Sequence, residues 1–127
     1  MEETITVGLQ HVGIPTNDLE KTEKFYKKIG FQTLLSTENP NNSKKVVFLG
    51  CGALILEIYE EDRIKKEAGA IDHIALEVRD IEEARKEMCD KGLKATEIKT
   101  LPFWERGIGF FKISGVNGET IEFCQRF

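Results

Sequence analysis

The sequence predicts an α+β fold of two tandem βαβββ modules whose mixed sheets curve into a cup, and three observations predict it. Residues 11–31 align with residues 73–93 without a gap, at an offset of 62, and share His11/His73, Asp18/Asp80, Glu20/Glu82, Lys24/Lys86 and Gly30/Gly92. Chance would supply about one such identity, so the chain contains an internal repeat. In each copy a two-residue alternation gives way to a helical stripe. Each half then closes on an apolar strand broken by one glutamate, Glu57 or Glu122, at an offset of 65.

The elements follow in order. Ile5, Val7, Leu9, His11 and Gly13 share one face of a strand, and Val12, Ile14 and Thr16 the other. A helix follows from a cap at Asn17 or Asp18 to about Ile29, with Leu19, Thr22, Phe25, Tyr26 and Ile29 as its apolar stripe and Gly30 as its stop. Phe31 to Leu35 reads as a strand and Thr37 to Ser43 as a polar loop interrupted by Pro40. Val46 to Leu49 and Ala53 to Tyr59 form a hairpin around Gly50-Cys51-Gly52, with Glu57 on the face opposite Leu54, Leu56 and Ile58.

The first module thus spans 5–60, and residues 61–70 are a charged connector with room for one helical turn. The second module, 71–127, restarts the pattern. Ile71, His73, Ala75 and Glu77 share a face, and a helix capped by Asp80 presents Ile81, Ala84 and Met88 before Gly92. Strands are expected at Leu93–Lys99, Ile108–Ile113 and Glu119–Gln125, with a loop carrying Phe103, Trp104 and Arg106 before the second of them. The 127 residues make one domain of ordinary size, with 40% hydrophobic residues to fill its core.

Bulk chemistry removes several classes of function. The 18 basic residues are outnumbered by 22 acidic ones and scattered, which argues against a nucleic-acid partner. No apolar run reaches the length of a membrane span, and Met1-Glu2-Glu3-Thr4 is acidic where a signal peptide is basic, so a cytoplasmic location is expected. Cys51, Cys89 and Cys124 lack paired spacing and read as reduced thiols.

His11 and His73 are the only histidines, and both start a module; Glu57 and Glu122 both end one. All four fall on the face turned away from the helix-packing residues. If the modules pair about a pseudo-twofold axis, the four side chains converge in the cup. Two imidazole nitrogens and two carboxylates suit a divalent metal (Ni, Co, Zn, Fe or Mn) with positions left for substrate.

The runs His11-Val12-Gly13-Ile14, Asp18 to Tyr26, Gly30-Phe31, Leu56-Glu57, Asp72-His73-Ile74-Ala75 and Gly118 to Phe123 cover nearly the whole chain. They resemble the vicinal oxygen chelate superfamily, the glyoxalase/bleomycin-resistance/extradiol-dioxygenase proteins. That resemblance implies paired βαβββ modules, a divalent metal held by His11, Glu57, His73 and Glu122, a small-molecule substrate chelating through two neighbouring oxygens, and a homodimer.

The His-Glu-His-Glu order is similar to glyoxalase I, the lactoylglutathione lyase, and implies a lyase or isomerase in which Glu122 or Glu57 moves a proton between adjacent carbons. The resemblance favours Glu122 as the base, and Glu77 is a further carboxylate on the face of His73. Phe103, Trp104 and Arg106 are the expected substrate-binding residues. The arginine and asparagine with which bacterial glyoxalase I holds glutathione are replaced by Ile14-Pro15-Thr16 and Tyr59-Glu60-Glu61-Asp62, an acidic run that would repel glutathione's carboxylates. Two alternatives remain: a drug- or metabolite-binding protein using Phe103 and Trp104, and an Fe(II) extradiol dioxygenase.

Overall fold

The computed structural model describes residues 9–127. The chain divides into two compact units between Ile64 and Lys65, inside the expected connector. In the first, β1 (Val12–Thr16), α1 (Leu19–Lys28), β2 (Gln32–Glu38), β3 (Lys45–Cys51) and β4 (Leu54–Glu60) follow one another. In the second, β5 (His73–Glu77), α2 (Ile81–Asp90), β6 (Lys99–Leu101), β7 (Ile108–Ser114) and β8 (Thr120–Arg126) repeat the order. The sheets have matching topologies, β1-β4-β3-β2 and β5-β8-β7-β6, each with one parallel pair and two antiparallel ones.

One helix covers one face of each sheet. In the first unit Thr22, Phe25 and Tyr26 of α1 are buried, and the core contains Ile14, Val47, Leu49, Leu56 and Ile58. In the second, Ile81, Ala84 and Met88 of α2 are buried, and the core contains Ile113, Ile121 and the stacked pair Phe111 and Phe123, 5.0 Å between ring centroids. The alternation of the strands therefore leaves His11, Gly13, Glu57, Ala75 and Glu122 on helix-free faces. The first strand's expected residues Ile5 and Val7 lie outside the described residues.

Both helices are capped by aspartate, at one of the two positions expected for the first and at the position expected for the second. Asp18 accepts from the Lys21 amide and Asp80 from the Glu83 amide, both at 3.1 Å, satisfying donors that a helix N-terminus leaves open. Behind the first cap lies a buried polar link. Thr16 Oγ1, with no exposed surface, accepts from the Asp18 amide at 3.0 Å and bonds Thr22 Oγ1 at 2.9 Å.

Three expectations are corrected. Thr37 and Glu38, assigned to the loop, extend β2 through pairing with Val46 and Lys45; backbone pairing along the sheet edge overrides their polarity. The connector contains no helix. The strand expected at Leu93–Lys99 is instead β6 at Lys99–Leu101, because the preceding backbone groups have other partners. Arg85 donates to the carbonyls of Ala95 and Thr96, and the Lys112 amide donates to the Thr96 hydroxyl at 2.8 Å where a ladder would use a carbonyl.

The second module's turn depends on one glycine. Gly118 has φ +80° and lies so close to the Lys66 carbonyl that any Cβ would overlap it, so the connector can pack there only against glycine. Among the described residues no helix is long and apolar enough to cross a membrane, and Cys51, Cys89 and Cys124 are free. Thr16→Val keeps the shape of the buried link but removes the acceptor of the Asp18 amide. It is expected to cost about 1–3 kcal/mol, read as a lower urea midpoint at unchanged slope.

Candidate functional site

Each unit brings one histidine to one glutamate, and the parallel pairing of its first and last strands does so. In the first unit Gly13 is registered with Glu57, and His11 lies two residues before it, so the three share a face. His11 Nε2 is 3.5 Å from Glu57 Oε1. In the second unit Ala75 is registered with Glu122, His73 lies two residues earlier, and His73 Nε2 is 3.9 Å from Glu122 Oε1.

The residue beside each glutamate is small for a reason visible at Gly13. A methyl there would already touch Glu57 Oε1 at 3.7 Å and the Tyr59 ring at 3.4 Å. A longer side chain would occupy the space between histidine and carboxylate. Alanine holds the same place in the second unit.

The far side of each imidazole is held by the residue just before it. His73 Nδ1 lies 2.9 Å from Asp72 Oδ2, and His11 Nδ1 bonds Gln10 Oε1. An Nδ1–H that donates to oxygen leaves Nε2 as the free electron pair turned to the glutamate, the arrangement that orients metal-binding imidazoles. The hydrogen bond to His73 is the largest influence holding the Asp72 carboxyl below its usual range, with the charges of His73 and Lys112 adding and desolvation opposing.

These pairs fit a divalent ion on a simple criterion. Two donors, each about 2.1 Å from one ion, must lie within about 4.2 Å of one another, and both pairs do. Among the described residues no group of three or more histidine, cysteine, aspartate and glutamate side chains assembles as a metal site. Each pair by itself offers two donors.

The surroundings of the pairs differ. Across from Glu57 on β3 stands Phe48, whose ring meets His11 edge-on at 6.1 Å. A cleft of about 400 Å³ opens beside Glu57, lined by Gly13, Lys44, Tyr59, Glu60 and Glu61 among others. Asp62, the third acid of that run, pairs with Lys44 at 3.3 Å. Across from Glu122 on β7 stands Lys112. Glu77 is registered with Cys124. Burial first, then Glu122 and Glu77, push the Cys124 thiol up, while Arg126 opposes.

Trp104 and Arg106 line a separate hollow of about 640 Å³ with Thr100, Leu101, Pro102 and Phe127, a lining that includes neither His73 nor Glu122. Trp104 has φ +64°, an uncommon conformation for a bulky residue. Its ring is covered by the Arg126 guanidinium at 4.5 Å, an attraction that helps hold it there. Phe103 and Trp104 are both exposed. Sequence reasoning overlooked Gln10, Asp72 and Lys112, although Gln10 and Asp72 occupy the same position of the repeat, immediately before each histidine.

The comparisons agree with this architecture. Residues 8–123 match the model of the Glyoxalase/Bleomycin resistance protein/Dioxygenase superfamily. The uncharacterized protein YwkD of Bacillus subtilis (strain 168) is 28% identical over 111 residues, 82% of this chain and 87% of YwkD. A glyoxalase family protein of Enterococcus faecalis superposes with a TM-score of 0.80 at 24% identity, covering 95% of this chain and 99% of that one. The fosfomycin resistance protein FosX of Listeria monocytogenes, in a complex with Mn(II) and sulfate, superposes at 0.72 and 18% identity, covering 97% and 95%. The structural likenesses establish a common fold, and the match over residues 8–123 establishes the family: the chain belongs to the Glyoxalase/Bleomycin resistance protein/Dioxygenase superfamily.

Proposed function

We propose that this protein is a metal-dependent lyase or isomerase of the glyoxalase type, in which His11, Glu57, His73 and Glu122 supply the ligands of a divalent ion and a glutamate moves a proton between adjacent carbons. The observation that carries the reading is the duplicated pair: twice, an imidazole whose Nδ1 is held by its preceding residue faces a carboxylate within 4 Å. FosX, with the same fold, has been crystallised with Mn(II). When bound, such an ion supplies a Lewis acid that draws charge from two neighbouring substrate oxygens.

The chain's own part is proton transfer. Glu122 takes the proton from the carbon bearing the hydroxyl, and the electron pair moves into an enediolate. The hydroxyl proton passes to the neighbouring oxyanion, and the carboxylic acid returns its proton to the former carbonyl carbon, so that hydroxyl and carbonyl exchange places. Glu122 is the better shielded carboxylate, its side chain 15% exposed against 30% for Glu57. Phe103, Trp104 and Arg106 are assigned the non-reacting part of the substrate. The cleft beside Glu57, with Glu60 and Glu61 in its lining, disfavours glutathione's carboxylates. The reading carries with it a cytoplasmic homodimer.

Metal analysis tests this directly. One divalent ion per chain is expected, and it is lost from His11→Ala and from His73→Ala because an incomplete shell holds a desolvated cation poorly. Two ions per chain would mean separate sites, and retention in both variants would sink the assignment. Proton transfer is read without knowing the natural substrate, by deuterium uptake from heavy water into hydroxyacetone. Glu122→Gln is expected to keep most of the metal and to exchange roughly 100-fold more slowly. Full exchange in that variant with loss in Glu57→Gln would move the base to Glu57. Metal-free protein that still binds small molecules would favour the sequestering alternative.

A further inference from the structure

Lys112 is a cation in the second module that makes no close ion pair among the described residues, the Asp72 carboxylate acting on it only as a more distant charge. It is registered with Glu122 on the neighbouring strand, which puts the two Cβ atoms about 4.5–5.5 Å apart on the same face. Its ammonium nevertheless makes no close ion pair and no hydrogen bond among the described residues, and lies over the Phe110 ring at 6.0 Å from the centroid. The side chain is half-buried, so it surrenders hydration and rotamer freedom without a partner in return.

The fold does not require a cation there. The repeat places Phe48 at the matching position, across from Glu57. On the same face, on the side of Lys112 away from Phe110, lie hydroxyls: Ser114, two residues along β7, is registered with Thr120, which is itself registered with His73. Neither hydroxyl has a partner among the described residues. Lys112 and Ser114 thus stand on the β7 side of Glu122 and Thr120, with His73 and Ala75 on the β5 side of the same face. Donors without acceptors suit an anion.

We propose that Lys112, with Ser114 and Thr120, binds an anionic group of the substrate beside His73 and Glu122, so that the substrate is a small vicinal-oxygen compound bearing a carboxylate or phosphonate next to its reacting carbons. This rests on the reading of His73 and Glu122 as part of the reacting centre. Lys112 is a substrate-binding residue in this account. It holds the anion, and its charge also favours the oxyanion that develops on the adjacent carbon.

The test is equilibrium binding followed by NMR, on wild type, Lys112→Met and Lys112→Arg. The probes are glycolate, hydroxymethylphosphonate and neutral hydroxyacetone, each with the protein as purified and again after chelation. In wild type at least one anion is expected to bind more tightly than hydroxyacetone, shifting the Lys112 side-chain and His73 ring signals. The better-bound probe identifies the anion as carboxylate or phosphonate. Lys112→Met should weaken that anion roughly tenfold or more, the scale of one charge-assisted hydrogen bond, while Lys112→Arg keeps most of the affinity and hydroxyacetone binding is unchanged.

Metal content should be the same in all three proteins, since lysine is not a ligand. Anion binding unaltered in Lys112→Met, or hydroxyacetone bound as tightly as both anions in wild type, would overturn the proposal. A protein that holds no metal overturns the proposed function instead, and the chelated series still reads Lys112. Should Lys112→Met fail to fold, Lys112→Gln replaces it with the same expected loss.

Discussion

The pairing of the first strand of each module with its last is the constraint on which the rest of this structure depends. Parallel strands cannot be joined by a tight turn, so the chain between them must travel, and it does so as a helix and two further strands. The helix covers one face of the sheet and leaves the other open. Because side chains alternate, one register then decides what stands on the open face. Gly13 opposite Glu57 and Ala75 opposite Glu122 are the places where that register meets chemistry. A slip of one residue would send each glutamate into the apolar layer under the helix.

The two copies of this arrangement have diverged in their surroundings while keeping their centre. Both retain the histidine, the residue that holds its Nδ1, the small residue and the glutamate. Around Glu57 there is an aromatic ring and an acidic cleft; around Glu122 there is an ammonium with two hydroxyls nearby. A repeat that preserves donors and varies what surrounds them is what the proposed metal site, adapted to an unsymmetrical substrate, requires. Such adaptation is how one fold serves many reactions.

Stability and function draw on different residues here. The cores under α1 and α2 are closed by apolar packing and by the Thr16–Asp18–Thr22 link, none of which reaches the open faces. The open faces carry a group that costs stability when left alone, the half-buried Lys112. Polar groups held without partners mark surfaces that gain by binding something.

Much of this protein was legible in the sequence. The repeat, both helices with their aspartate caps, the faces of the strands and the two His/Glu couples all follow from spacing, because periods of 2 and 3.6 residues and the chemistry of a helix N-terminus are local properties. The acidic run after Tyr59 was legible too, and Glu60 and Glu61 do line the cleft beside Glu57. Tertiary structure alone decided where β6 begins, since that depended on Arg85 and Thr96 taking up backbone groups from distant positions. It alone turned Gln10 and Asp72 from sequence neighbours into the groups that orient the imidazoles. It alone brought Lys112 level with Glu122, ten positions away along the chain, because cross-strand register arises from hydrogen bonding between segments and no local pattern of residues encodes it.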